Sequence, residues 1–426
     1  MPAAPARLRI HGFTPHTLHM ALKEVSVEEL HFGMYVSQLD RPWTETPFMF
    51  QGFVLKTEQQ LDTLKKFCKK VYVDPEKVEL PDPVRSAAPA RTQRTTGAGE
   101  NVRGNVTYRE AASVEQELPK ARAVFAQTGD IVASISRAVL AGEVLEGARA
   151  KEAVTQITDS VVRNPDAMML LIKMREKGGQ VASRALQVSV YMTVFGRFLQ
   201  LPRERIEVLG LMGLLQDVGA LKLPTGLADR RGELNGAERE LYKTHITLSV
   251  ETLSKTQGLP ADLPGLASLH HERFDGSGYP RGLKGNAIPM VGSIAAIVDT
   301  FDALTSPPPY GDRMSPSTAL NVLFQNRGTQ FHAALVEQFI QCVGVFPVGS
   351  VVEMNNGEIA VVIAQNMVRR LQPRVMVVQD ANGNPLNPHK MLDLAKDPKV
   401  SRDEPYRIRR TLEGDRVQVD PRELFL

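Results

Sequence analysis

Five side chains in the middle of the sequence are of metal-ligating types, and each stands among apolar neighbours. Asp217 ends an apolar segment, and His245 lies four residues after Leu241 on the apolar face of its helix. His270 and His271 are adjacent in an apolar stretch that ends in Glu272, and Asp299 follows Ala295–Ala296–Ile297–Val298. Burying a carboxylate or an imidazole is costly unless the group is paired or bound to a metal. Such groups on four core-facing helices point to one convergent site. Imidazole and carboxylate without thiolate suit iron, manganese or zinc, used as a Lewis acid and activator of water. The competing reading makes each histidine a hydrogen-bonded core residue, and the residues alone leave both open. With only Cys68 and Cys342 in the chain, a disulfide framework and a multi-cysteine zinc site are excluded.

The elements that must position these groups are mainly helical. Between about 110 and 345 the pattern is helical throughout, with nearly all-apolar helices expected at 185–201 and 206–217. Helices apolar all round belong in the middle of a bundle. Asn235 with Glu238 opens a further helix carrying Leu241, His245 and Leu248 on one face. Pro264 suits the first position of another, ahead of Leu266, His270 and His271. A helix from Met290 to Leu304 contains Asp299 and Asp302. Residues 24–80 read as a small α+β domain after a disordered tail at 1–23. The stretch 81–107 reads as a disordered linker, since Pro81 to Val106 lacks Leu, Ile, Met and all aromatic residues. After Pro347 the period becomes two, and turns at Asn355–Gly357 and Asn382–Gly383 predict hairpins. A small β module is therefore expected over 346–390, followed by a tail at 391–426. The 426 residues, with 42% hydrophobic residues and a net charge of +3, suit a globular protein with neither nucleic acid nor membrane as partner. No apolar run approaches the roughly 20 residues of a membrane span, so a cytoplasmic location is expected.

The segments HHERFDGSGYPRGLKGNAIP (270–289) and IVDTFDALTS (297–306) resemble the HD-GYP domain, a bacterial subgroup of the HD metal-dependent phosphohydrolases. The likeness continues through LLQDVGALKLP (214–224), LNGAERELYKTH (234–245) and RNPDAMMLLIKM (163–174). GMYVSQLDRPW (33–43) resembles the domain of unknown function that often precedes it, and FPVGSVVEMNNGEIAVV (346–362) also fits that architecture. The resemblance implies an HD-type helical bundle at 108–345 holding two or three metal ions, often iron, and hydrolysis of the second messenger cyclic di-GMP. The metal ligands it implies are Asp217, His245, His270, His271 and Asp299, with Asp302 matching a ligand of three-metal members. Gly278, Tyr279 and Pro280 match the GYP triplet, which faces substrate or partner proteins, with Arg281 and Lys284 close behind.

The chain departs from that pattern at several positions. Gln216 stands for the histidine of the HD pair, Arg184 for an upstream histidine ligand, and Ala220 for a lysine. The segment usually written RPYR reads PPYG, from Pro308 to Gly311. A glutamine carbonyl replaces imidazole poorly on a transition metal, and arginine cannot deprotonate to become a ligand. The expectation is at most one divalent ion, iron or manganese rather than zinc. Arg184 is expected in the vacated position, neutralising Asp217 and Asp299. The functional expectation is a catalytically inactive or weak member acting as a regulatory or protein-interaction module in cyclic di-GMP signalling. Its partners would be the dinucleotide or proteins of that pathway. The alternatives are an active phosphodiesterase, with Lys222 or Arg281 and Lys284 supplying charge, and a sensor that binds cyclic di-GMP without cleaving it. The sequence does not reveal the oligomeric state.

Overall fold

A computed structural model describes residues 23–41, 46, 53–55, 58–74, 102–174, 180–227, 234–306, 314–366, 369 and 371–412. The chain divides into two compact units, Met1–Ala90 and Arg91–Leu426. The first holds strands β1 (Lys23–Ser26), β2 (Tyr35–Leu39), β3 (Phe53–Val54) and β4 (Lys70–Asp74), with helix α1 (Glu58–Phe67). The strands form an antiparallel sheet in the order β1-β4-β2-β3. Val25, Val36, Leu55, Leu64, Val71 and Val73 close its core. Lys65 and Lys70 lie outside and pair with Glu28 and Glu24.

The second unit begins with α2 (Val114–Ala141), α3 (Gly147–Arg163), α4 (Pro165–Met174), α5 (Gln180–Phe198) and α6 (Arg203–Leu215). It continues with α7 (Gly236–Lys243), α8 (His245–Ser254), α9 (Leu263–Ala267), α10 (Met290–Thr305), α11 (Pro316–Gln325) and α12 (Ala333–Val343). Every residue of α6 from Leu209 to Leu215 is buried, as its all-round apolar character requires. It lies so close to α5 that a Cβ on Gly213 would stand 2.8 Å from the backbone of Ser189.

Two expected helices are interrupted, and both interruptions serve the site. The chain turns at Thr244, so α7 and α8 are separate and Leu241 is exposed instead of sharing the buried face of His245. The α9 helix stops at Ala267, which leaves His270 and His271 in the turn beyond it. A helix bearing both would aim adjacent side chains about 100° apart, whereas a turn can aim them at one point.

The C-terminal sheet contains β5 (Val351–Met354), β6 (Ile359–Ala364), β7 (Arg374–Gln379), β8 (Pro385–Asp393) and β9 (Ile408–Thr411), in the order β8-β7-β6-β5-β9. Both expected hairpins are present, but the sheet is wider than the sequence suggested. From 391 onward, where a tail was expected, the chain completes β8 and returns as β9 on the free edge of β5. Tyr406 and Ile408 there complete the apolar face under Val352, Val362, Val375 and Val377. Among the described residues, no helix is long and apolar enough to cross a membrane.

Candidate metal centre

Asp217 follows α6 at the head of a short 3₁₀ turn, Val218–Lys222, which includes Ala220. His245 opens α8, and His270 closes the turn after α9. Both imidazoles are fully buried. The Nδ1 atom of His245 lies 2.7 Å from the carbonyl of Tyr242, and that of His270 lies 2.7 Å from the carbonyl of Ala267. A carbonyl only accepts, so each Nδ1 carries the proton, and wherever its ring is neutral the Nε2 lone pair turns inward. These two Nε2 atoms are 3.4 Å apart, and Asp217 Oδ1 lies 3.4 Å from His245 Nε2 and 3.3 Å from His270 Nε2.

Three acceptor atoms facing one another repel unless a proton or a cation lies between them. A four-coordinate ion with ligands at about 2.1 Å sets its donors about 3.4 Å apart, which is the spacing found. His271 joins the group, and the ligating atoms of Asp217, His245, His270 and His271 all fall within 4.8 Å of one another. The donor set fits a divalent ion. Burial pushes Asp217 up, but His270 and Arg184 more than offset this and hold it well below the usual carboxylate range. Burial would lower His270, and Asp217 reverses that. His245 is lowered by burial, and His271 is driven well below its ordinary value by burial and by His270. The cluster thus favours ionised carboxylate and neutral His245 and His271, the forms that bind metals.

Asp299 and Asp302, both buried on α10, are engaged differently. Arg184 from α5 donates through Nη2 to Asp299 Oδ1 at 2.8 Å and through Nε to Asp302 Oδ2 at 3.1 Å. The bridged pair is therefore Asp299 and Asp302, not the expected Asp217 and Asp299. Two residues on one helix face, three apart, match the guanidinium's side-on edge better than a carboxylate on another element. Asp217 acts on Arg184 only through its charge. Burial raises Asp302 to about 6 against the pull of Arg184. Gln216, also buried, donates through Nε2 to Asp299 Oδ1 at 3.3 Å, and its Oε1 has no donor among the described residues.

The remaining positions frame the site. Tyr279 stacks on His271 at 4.7 Å between ring centroids, and Lys243 lies over the Tyr279 ring. Gly278 packs so tightly that a Cβ would meet the backbone of Arg273 at 2.3 Å. Pro280, Arg281 and Lys284 are exposed. Lys222 donates to Thr252 Oγ1 at 2.8 Å, so its ammonium already has a partner on α8. Pro308 and Gly311 lie outside the described residues. Sequence reasoning assigned no role to Glu272, whose buried carboxylate accepts the backbone N–H groups of Arg281 and Leu283, each at 2.9 Å. Its signal was an acid directly after the histidine pair and ahead of a glycine-rich loop.

Comparison with known proteins finds three family matches along the chain. An HD domain matches residues 166–335, a domain of unknown function (DUF3391) matches 22–150, and a KOW domain associated with HD domains matches 351–401. The chain is 29% identical to a cyclic di-GMP phosphodiesterase of Pseudomonas aeruginosa over 88% of its length and 89% of the relative's. A cyclic di-GMP phosphodiesterase response regulator of Xanthomonas campestris is 35% identical over 34% of this chain and 38% of the regulator. A 3'3'-cGAMP-specific phosphodiesterase of Vibrio cholerae is 41% identical over 28% of each chain. The chain thus spans most of the first relative and well under half of the other two.

Proposed function

Because the chain belongs to the HD domain family, in its HD-GYP form, we propose that it is a catalytically weakened or inactive member acting as a regulatory module in cyclic di-GMP signalling. The observation that carries this reading is Arg184, whose guanidinium bridges Asp299 and Asp302, the carboxylates that the family resemblance assigns to metal. An ion held by Asp217, His245, His270 and His271 would supply Lewis acidity toward one phosphoryl oxygen. Two ions clamp both the attacking and the leaving oxygen of an in-line displacement, and a guanidinium shared by two carboxylates does not replace the second. Its single positive charge is already outweighed by the pair it bridges. Gln216 adds a neutral amide where a second imidazole would ligate.

Metal analysis of the purified protein, paired with hydrolysis assays on cyclic di-GMP and 3'3'-cGAMP, tests the reading. The expected result is about one divalent ion per chain and turnover lower by at least about 100-fold than in the Pseudomonas relative, the scale of losing one electrostatic stabiliser. Two or more ions per chain with comparable turnover would overturn it. The intact four-residue donor cluster favours a second reading, a one-ion phosphodiesterase, which full turnover at one ion per chain would support.

A further inference from the structure

A guanidinium has two hydrogen-bonding edges, and in Arg184 only one is used. The side-on edge, Nε with Nη2, is spent on Asp302 and Asp299. The end-on edge, Nη1 with the second Nη2 proton, has no acceptor among the described residues, although the side chain is only 30% exposed. Nη1 is not one of the fully buried polar atoms left without a partner, so this edge reaches solvent and is open to a ligand. Its direction is fixed, because a planar group held at two points by two buried carboxylates cannot turn. Asp299, which accepts from Nη2, also lies 4.0 Å through Oδ2 from Nδ1 of His271 in the donor cluster. The free edge therefore belongs to the same site as the cluster, next to the place of an ion.

We propose that Arg184 is the anion-recognition residue of this site, its end-on edge donating two parallel N–H···O bonds to the non-bridging oxygens of a nucleotide phosphodiester. A planar fork matches such an oxygen pair, and lysine, a point charge, does not. Charge gives the binding a condition. Three carboxyl groups, Asp217, Asp299 and Asp302, border the fork and disfavour a phosphate. A divalent ion at the cluster adds two positive charges beside them, so anion and metal bind cooperatively. The inference rests on the reading that a phosphodiester enters this site, but not on whether that ester is cleaved.

The test titrates orthophosphate and cyclic di-GMP into wild type, Arg184→Lys and Arg184→Gln, with and without manganese, alongside manganese uptake and thermal melts. Arg184→Lys keeps a cation on the Asp299–Asp302 pair and removes the fork. The expected result is binding of both probes by manganese-loaded wild type, weaker by at least tenfold without manganese. Arg184→Lys should weaken both probes at least tenfold while its manganese stoichiometry and melting stay as in wild type, a split that a purely structural arginine does not produce. Wild-type affinity in both variants, or no binding of either probe by wild type, would overturn the proposal. Efficient turnover by a multi-ion wild type would instead defeat the reading of weakened catalysis and leave the anion fork standing.

Discussion

Asp299 and Asp302 are two buried carboxyl groups three residues apart on α10, and the chain supplies a cation for both covalently through Arg184. At the level of single residues, one guanidinium stands against two carboxyl groups, and beside them Gln216 Oε1 has no donor among the described residues. An orphaned buried acceptor costs about 1–3 kcal/mol, a local expense of the kind found at functional sites. Glu272 shows the opposite economy. Its buried carboxylate holds two backbone N–H groups of the loop that carries Tyr279, and so fixes that ring against His271. Hydrogen bonds to a charged group contribute about 1.5–3 kcal/mol each, so Glu272→Ala should lower stability by about 3 kcal/mol. Amide exchange at Arg281 and Leu283 should accelerate together. Denaturant melts with residue-resolved exchange check this, and an unchanged midpoint with slow exchange at both amides would refute the anchoring role.

At the scale of elements, the docking of the β module on the bundle carries a pH dependence of its own. Asp166 on α4 accepts the backbone N–H of Gln365, just past β6, at 3.0 Å, and Arg374 on β7 pairs with Glu115 on α2. Burial lifts Asp166 from 3.8 to about 7. The folded protein therefore keeps a proton up to about pH 7 that the unfolded chain releases near pH 4. Unfolding releases that proton within this window, so stability falls as pH rises through it, by about 4 kcal/mol at most. Asp166→Asn keeps an acceptor for Gln365 but cannot ionise. Relative to wild type it should be more stable above pH 7, with the difference vanishing toward pH 4. Urea melts at pH 4.5, 6 and 8 read this directly, and a difference independent of pH would exclude Asp166 as its source. Legibility at this scale followed local rules. The Asn235–Glu238 capping box, the all-apolar α6 and the two hairpin turns were readable because each is specified within a few residues. The break at Thr244, the end of α9 before His270 and the pairing of β9 with β5 were not. Each is decided by tertiary contacts that no window of neighbouring residues contains. The site followed the same division. The types and positions of the cluster's residues could be read from spacing and resemblance, but the choice of Asp302 over Asp217 by Arg184 could not, because it depends on where α5 faces α10.

For the whole molecule, the division into two units bears on what the candidate centre needs. Its ligands run from Asp217 to His271, and the carboxylates held by Arg184 lie on α10, all within the unit that begins at Arg91. Residues of the first unit close their own core around Leu55, Leu64 and Val71. The DUF3391 match nevertheless continues to residue 150, through α2, whose packing partners α3, α4 and α5 are all in the second unit. A family boundary and a folding boundary thus differ here, and they predict different minimal proteins. Physical packing assigns α2 to the bundle, so a chain of residues 91–426 should fold, melt cooperatively and take up manganese with full-length stoichiometry. A chain beginning at 151 should not, because losing α2, with its buried Leu118, Phe125, Ile131 and Val132, uncovers the apolar faces of α3, α4 and α5 on which they pack. Exposing apolar surface costs about 25 cal/mol per Å², and several large side chains together exceed the net stability of an ordinary domain. Calorimetry and metal analysis of the two fragments decide the matter. Loss of cooperative melting in the 91–426 chain would mean that the first unit is a structural part of the bundle, and that the centre is not held by the second unit alone.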